Sequence, residues 1–150
     1  MDSPRLRNSD IGVASSKIAA MKAVRLILLD FQQKFAKNPP NGRSGTILDG
    51  RDIATVVCPE ADSKIFVTAN IEIRAKRRWK QLIQSDEPAI YARVLEDLRE
   101  RDTRDSTRQN APLRKDSDAI TIDTSNLDAE QTFETARKYI ALRDLNRQRS

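Results

Sequence analysis

Three short apolar runs alternate with long amphipathic segments along this 150-residue chain. The runs lie at 46–48, 64–69 and 119–122, and they have the length and continuity of buried strands. Between and around them, apolar residues recur three and four positions apart, which is the spacing of helices that bury one face. No two-residue hairpin connects successive runs. The alternation therefore predicts an α/β fold in which helices flank a parallel sheet.

The helical segments carry recognisable start and stop signals. Asn38 with the two prolines after it ends the first helix, and Asn70 caps the second. Pro88 suits the first turn of the third helix. Asp128 with Gln131 resembles a capping box for the fourth. The predicted helices cover 15–37, 70–85, 88–108 and 128–142.

Two residue counts exclude several kinds of chemistry. The chain has no histidine and one cysteine, Cys58. A Ser-His-Asp triad, a His-ligated metal, a multi-cysteine zinc site and an internal disulfide are thereby excluded, and no protein-ligated metal is expected. The sequence shows no secretory signal and no apolar run of membrane-spanning length. We expect a cytoplasmic protein without a membrane partner.

The first candidate site is the polar turn at 49–52, directly after the 46–48 run. Ligands of open α/β sheets bind at the carboxyl ends of the strands. Gly50 permits a tight turn, Arg51 offers a forked donor, and Asp52 offers an acceptor. A plain polar turn with an internal Asp–Arg pair explains the same residues equally well.

The second candidate is a ladder of charged residues at the end of the third helix. Arg101, Arg104 and Arg108 lie three and four positions apart and share one face, with Asp105 four after Arg101. A solvated, salt-bridged surface is the ordinary explanation for mixed charges. The segment 93–108 uses five arginines and no lysine, however, and arginine suits bidentate phosphate recognition.

The third candidate is a basic stretch at 74–80. Trp79 is interleaved with the basic residues Arg74, Lys76, Arg77, Arg78 and Lys80. Such a pattern fits a nucleic-acid surface, and the net charge of +5 permits one. A phosphate-binding segment after a strand and a cap fits it as well, and Trp79 could simply lie in the core.

No phosphate-binding loop of the P-loop type is present in the 150 residues. That motif requires Gly-x-x-x-x-Gly-Lys-Ser/Thr between a strand and a helix. The segment 45–52 has both glycines, but Arg51 and Asp52 stand where Lys and Ser/Thr belong.

Taken together, these segments resemble the bacterial cytidylate (CMP/dCMP) kinase family of nucleoside monophosphate kinases. The run Asp-Gly-Arg-Asp-Ile-Ala-Thr-Val-Val at 49–57 carries the resemblance, with Ala54 where the family commonly has Gly. Pro-Glu-Ala at 59–61, Lys-Ile-Phe-Val at 64–67, Arg-Ala-Lys-Arg-Arg at 74–78 and the segment 101–113 follow at the expected distances. The resemblance implies one kinase-like domain over 1–150, with a helical lid region at about 77–112.

The resemblance also assigns roles to individual residues. Ser16, Arg25 and Asp52 match positions that recognise cytosine, and Arg101 and Asp105 match partners of the sugar hydroxyls. Arg51 and Arg108 match ligands of the CMP phosphate. Arg77 lies in the lid over the ATP phosphates, with Arg74 and Arg78 as less certain neighbours. The residues expected to take part in catalysis are Arg51, Arg77 and Arg108.

The implied function is phosphoryl transfer from ATP, with Mg²⁺, to CMP or dCMP, and no nucleic-acid partner is expected. Family members begin with a strand, a P-loop and a nucleotide-binding lobe, whereas this chain resembles the carboxy-terminal two thirds. We therefore expect the donor site to be largely missing from these residues, and a gap to separate the 46–48 and 64–69 strands. The alternative function is a non-catalytic remnant that binds nucleotide or nucleic acid through its arginines.

Overall fold

A computed structural model describes residues 21–108 and 111–147, together with Ala14 and Ile18. The fold is α/β, with a small parallel sheet and a high helix content, as predicted. The four helices are α1 (Lys22–Lys37), α2 (Ile71–Gln84), α3 (Tyr91–Thr107) and α4 (Ala129–Arg147). The strands are β1 (Ile65–Thr68) and β2 (Ile120–Asp123), and a π-helical turn covers Ile53–Val57.

The two strands pair in parallel, with Ile65 opposite Ile120 and Thr68 opposite Asp123. Parallel neighbours require a long crossover, which α2 and α3 supply between them. Thr124 extends the pairing, because its backbone N–H donates to the Thr68 carbonyl at 2.8 Å. The carboxyl ends of both strands therefore point to the same edge of the sheet.

Helices α2 and α3 pack against each other, and α4 contacts β2. The buried apolar residues of α2 and α3 are Ala75, Leu82 and Val94, and Ala119 just before β2 and Ile122 within it are buried as well. The Asn70 side chain accepts from the Glu72 N–H at 2.8 Å and caps α2 as predicted. Burial of this apolar surface is the main source of stability for the described fold.

A buried ion pair joins the beginning of β1 to the loop before β2. Lys64 is only 8% exposed, and its Nζ lies 3.1 Å from Asp116 Oδ1. The Asp118 backbone N–H donates to the same carboxylate oxygen at 2.9 Å. These two contacts lower the pKa of Asp116, because both stabilise its ionised form.

The predicted 46–48 strand is wrong. The segment forms no regular structure, and Ile47 is 96% exposed. A strand is stable only when its backbone groups find a partner, and neither described strand pairs with this segment.

Two helices begin later in the described residues than the sequence predicts. Helix α3 begins at Tyr91 and not at Pro88, because Ile90 keeps an extended backbone. The start of α1 predicted at residues 15–16 lies outside the described residues, and the described helix begins at Lys22.

The predicted Asp128–Gln131 capping box of α4 is confirmed. The Asp128 backbone N–H donates to Gln131 Oε1 at 3.0 Å, and the Gln131 backbone N–H donates to Asp128 Oδ1 at 2.8 Å.

Candidate active site

One carboxylate, that of Asp52, joins the three parts of the molecule that surround the candidate site. Arg25 of α1 donates from Nη2 to Asp52 Oδ2, and Arg108 at the end of α3 places Nη2 4.0 Å from Asp52 Oδ1. The Asp52 side chain is 13% exposed. The Arg25, Asp52 and Arg108 side chains together form the first cluster.

Local backbone structure holds Asp52 in this position. Its carbonyl accepts from the Val56 and Val57 N–H groups at 2.9 and 3.2 Å and so begins the π-helical turn. Gly50 lies close to this turn, because a Cβ there would stand 3.0 Å from Ile53 Cγ1. A larger residue at this position would therefore require the Ile53 side chain to shift.

A second cluster lies around Asp105 of α3. Arg51 Nε is 3.3 Å from Asp105 Oδ2, and Arg101 Nε is 3.8 Å from the same oxygen. Asp105 is a buried residue at 6% exposure, although it belongs to a helix that is mostly exposed. The ladder at the end of α3 is therefore not only a solvated salt-bridge face.

Two buried polar atoms lack a hydrogen-bond partner among the described residues: Asp105 Oδ2 and Arg108 Nη2. Buried polar atoms nearly always have a hydrogen-bond partner, whereas these two have only ion-pair contacts, at 3.3 and 3.8 Å for Asp105 Oδ2 and 4.0 Å for Arg108 Nη2. The two atoms have complementary needs, because the carboxylate oxygen accepts and the guanidinium nitrogen donates. A ligand with a hydroxyl group and an anionic group would satisfy both.

The two clusters together have excess positive charge. They contain four arginines, Arg25, Arg51, Arg101 and Arg108, against two aspartates, Asp52 and Asp105. Burial and the neighbouring Arg51 guanidinium lower the pKa of Arg101, while Asp105 and Asp102 oppose the shift. A dianionic ligand would balance this charge and relieve the repulsion between Arg51 and Arg101.

A cavity of about 750 Å³ adjoins the second cluster. It lies between the segment 48–55 and β1, and its charged lining includes Arg51, Arg74, Arg101, Asp102 and Lys64. Its size is within the range of small-molecule sites.

The basic stretch of α2 is engaged within the protein. Arg77 donates to the Thr124 hydroxyl, the Thr124 carbonyl and the Leu127 carbonyl at 3.1, 2.6 and 2.9 Å. It shares no described contact with the Asp52 or Asp105 cluster. Trp79 donates from Nε1 to the Ala89 carbonyl at 3.0 Å, which links α2 to the loop before α3.

The remaining expectations concern Ser16, metal ligands and membrane-spanning helices. Ser16 lies outside the described residues. Within 21–108 and 111–147, no group of three or more acidic, cysteine or histidine side chains could hold a metal ion. None of the helices in those ranges combines the length and the apolar character needed to cross a membrane.

Sequence reasoning missed the pairing of Arg74 with Asp102. Arg74 donates from Nη1 and Nη2 to the two Asp102 oxygens at 3.1 and 2.6 Å. The two residues belong to different helices, so no local spacing indicates the pair. Sequence reasoning also missed the Lys64–Asp116 ion pair, whose partners are 52 residues apart in sequence.

Comparison with known proteins shows the family that the chain resembles. The family model described as cytidylate kinase matches residues 2–142. The cytidylate kinase of Paramagnetospirillum magneticum is 54% identical over 131 residues, which cover 87% of this chain and 62% of that protein. The cytidylate kinase of Xanthobacter autotrophicus is 46% identical over 147 residues, which cover 98% of this chain and 69% of that protein.

The cytidylate kinase of Methylocella silvestris is 50% identical over 135 residues, which cover 90% of this chain and 61% of that protein. The α/β fold with its small parallel sheet is that of a nucleoside monophosphate kinase-like protein. The chain belongs to the cytidylate kinase family. It spans about three fifths to two thirds of the length of these relatives.

Proposed function

We propose that this chain forms the acceptor side of a cytidylate kinase, where CMP or dCMP receives the γ-phosphoryl group of ATP to give CDP or dCDP and ADP. The supporting observation is the pair of unsatisfied buried atoms, Asp105 Oδ2 and Arg108 Nη2, beside the Asp52 carboxylate. A nucleoside monophosphate carries the required hydroxyl groups and the required anion on one molecule.

The Asp52 carboxylate is proposed to select the base. An aspartate accepts a hydrogen bond from the exocyclic amine of cytosine, whereas uracil presents a carbonyl oxygen at that position. Arg25, whose guanidinium already binds Asp52, orients the carboxylate and shares in base recognition. Ser16 is proposed as a third contact on the basis of the family resemblance. The result is a preference for CMP over UMP.

The second cluster is proposed to bind the sugar and the phosphate. Asp105 and Arg101 would contact the sugar hydroxyls, and Arg51 and Arg108 would contact the phosphate. Arginine forms bidentate contacts with phosphate oxygens, and the excess of two positive charges matches a phosphate dianion. Such contacts position the acceptor oxygen and disperse negative charge, which is most of what phosphoryl transfer requires from a protein.

The donor side is a separate proposal. By family, the donor is ATP with Mg²⁺, and Arg77 in the lid region at 77–112 is proposed to face its phosphates. This role requires the Arg77 guanidinium to exchange its bonds to Thr124 and Leu127 for bonds to phosphate oxygens. The described residues do not fit this group by themselves, because no acidic cluster is present to hold the metal and residues 1–150 contain no P-loop motif.

Calorimetry on the 150-residue chain tests the acceptor site. We expect CMP to bind more tightly than UMP and more tightly than cytidine at one fixed salt concentration. The rival function, nucleic-acid binding, would instead give tight binding of a polynucleotide that weakens steeply with salt, because phosphate contacts release counterions. Equal affinity for CMP and UMP would refute the proposed base site.

A further inference from the structure

Arg74 of α2 uses every guanidinium nitrogen within the protein. Its Nε donates to the Ala69 carbonyl at 3.0 Å, and Nη1 and Nη2 donate to the two Asp102 oxygens at 3.1 and 2.6 Å. The Arg74 side chain is 32% exposed and the Asp102 side chain 31%. A forked pair with an additional Nε contact fixes the guanidinium plane much more strictly than a single-point ion pair.

These contacts connect the end of β1 to one particular turn of α3. Ala69 follows β1 directly, and Asp102 lies between Arg101 and Asp105 in the sequence of α3. Arg74, Arg101 and Asp102 also line the same cavity. A shift of Arg74 would therefore move the helical turn that carries the second cluster.

In that turn, ion pairs with Arg51 and Arg101 hold Asp105 Oδ2. Asp105 Oδ2 has no hydrogen-bond partner among the described residues, and Arg51 and Arg101 both approach it while repelling each other. The pKa of Arg101 is lowered by burial and by Arg51, and Asp102 is one of the two carboxylates that oppose this shift. The Asp102 carboxylate stabilises the charged Arg101 side chain only while it stays near it, and the two bonds from Arg74 hold it in place.

We infer that Arg74 is a positioning residue for nucleotide binding: through its forked bond to Asp102 it aligns Arg101 and Asp105 with the sugar of the acceptor nucleotide. This inference rests on the proposed function. It differs from a lid role, in which Arg74 would contact donor phosphates directly.

The test measures CMP and cytidine affinity of the full 150-residue chain by calorimetry for four variants. Arg74→Met removes the fork and keeps the aliphatic stem, and Asp102→Asn removes the acceptor charge. Both should weaken CMP and cytidine by the same factor, about tenfold, and the double variant should be little worse than either. Arg74→Lys should restore part of the affinity, because one ammonium group reaches one carboxylate oxygen.

Arg137→Met is the matched control, since it breaks a comparably short ion pair with Glu134 on the exposed face of α4. It should leave both affinities unchanged. Thermal unfolding of every variant is recorded, and if Arg74→Met does not fold, Asp102→Asn and Arg74→Lys carry the test. A merely structural pair would lower the unfolding temperature without changing the affinities measured well below it.

Unchanged affinity in the folded variants, beside a wild-type chain that binds CMP, would overturn this inference alone. Loss of CMP affinity without loss of cytidine affinity would also overturn it, and would indicate a direct phosphate contact. Failure of the wild-type chain to bind CMP would overturn the proposed function and this inference together.

Discussion

Arg51 Nε lies 3.3 Å from Asp105 Oδ2, so the turn after 46–48 is tied to the third helix. Each partner also adjoins the Asp52 cluster in sequence, because Asp52 follows Arg51 and Arg108 lies one turn after Asp105. The two clusters therefore form one continuous charged surface. A ligand bound there could contact both at once, which fits a nucleotide that carries a base, a sugar and a phosphate.

The base preference should depend on Asp52. In Asp52→Asn, an amide replaces the charged acceptor, and we expect CMP affinity to fall by about 1.5–3 kcal/mol, or 10- to 150-fold. UMP affinity should change much less, because uracil offers no amine to this carboxylate. Titration calorimetry with the two nucleotides measures the ratio.

Asp30→Asn is the control for Asp52→Asn. Asp30 pairs with Lys34 on the exposed surface of α1, so the substitution removes the same charge outside the site. Its effect on both nucleotides should be negligible. If Asp52→Asn keeps the full CMP-to-UMP ratio, Asp52 is not the base-selecting residue.

Arg108 should act on the phosphate. We expect Arg108→Ala to weaken CMP by about 1.5–3 kcal/mol more than it weakens cytidine, because only CMP carries the anion that Arg108 Nη2 would bind. Arg108→Ala also removes the bond from Arg108 Nε to the Ala111 carbonyl at 2.6 Å. Loss of that bond should affect CMP and cytidine equally, so the ratio of the two affinities corrects for it. Asp105→Ala should instead weaken CMP and cytidine alike.

Arg104→Ala is the matched control, since Arg104 is an exposed residue of the same helix, one turn before Arg108. It should leave the CMP-to-cytidine ratio unchanged. Equal losses of CMP and cytidine in Arg108→Ala would mean that Arg108 serves the structure and not the phosphate.

Acid stability should reflect the Lys64–Asp116 pair. The pKa of Asp116 is lower in the folded chain, so its stabilising contribution is complete above the unfolded pKa of about 3.9 and is lost as the pH falls through the folded value. Asp116→Asn should therefore lower the unfolding temperature clearly at pH 7 and progressively less below pH of about 4.

Asp118→Asn removes the same formal charge from the same loop while Lys64 keeps its partner. Thermal unfolding of both variants between neutral and acidic pH separates the contribution of the pair from that of net charge. A gap between wild type and Asp116→Asn that stays constant over the whole range would contradict the assignment.

The sequence predicted elements better where their signals are local. Asn70, Asp128 and Gln131 form the predicted caps because a cap needs only neighbouring backbone groups. The 46–48 strand failed because a strand depends on a partner elsewhere in the chain, which local pattern cannot supply.

The same distinction holds for the site. The spacing placed Arg101, Arg104 and Arg108 on one helical face, with Asp105 four after Arg101. The structure has the Arg101–Asp105 ion pair that this spacing allows, whereas Arg104 is exposed. That Arg51 and Asp52 would meet this face came only from the family resemblance, because their partners are distant in sequence. The Arg74–Asp102 pair had no signal of either kind.

The final prediction concerns turnover. A polypeptide limited to residues 1–150 should bind CMP without phosphorylating it. In P-loop enzymes the loop's backbone N–H groups and its lysine hold the donor phosphates, and its Ser/Thr holds the magnesium. No Gly-x-x-x-x-Gly-Lys-Ser/Thr sequence occurs in these residues.

The four arginines of the two clusters can neutralise charge, but they cannot align the γ-phosphoryl group with an acceptor oxygen. A misplacement of about 1 Å can cost roughly 100-fold in rate, and absence of the donor cradle should cost much more. A coupled ADP-release assay with ATP, CMP and Mg²⁺ should therefore give background turnover. The same assay on a fusion that carries the P-loop lobe of a related kinase should give clear CMP-dependent turnover. Robust turnover by the 150 residues alone would refute the claim that they hold only the acceptor side.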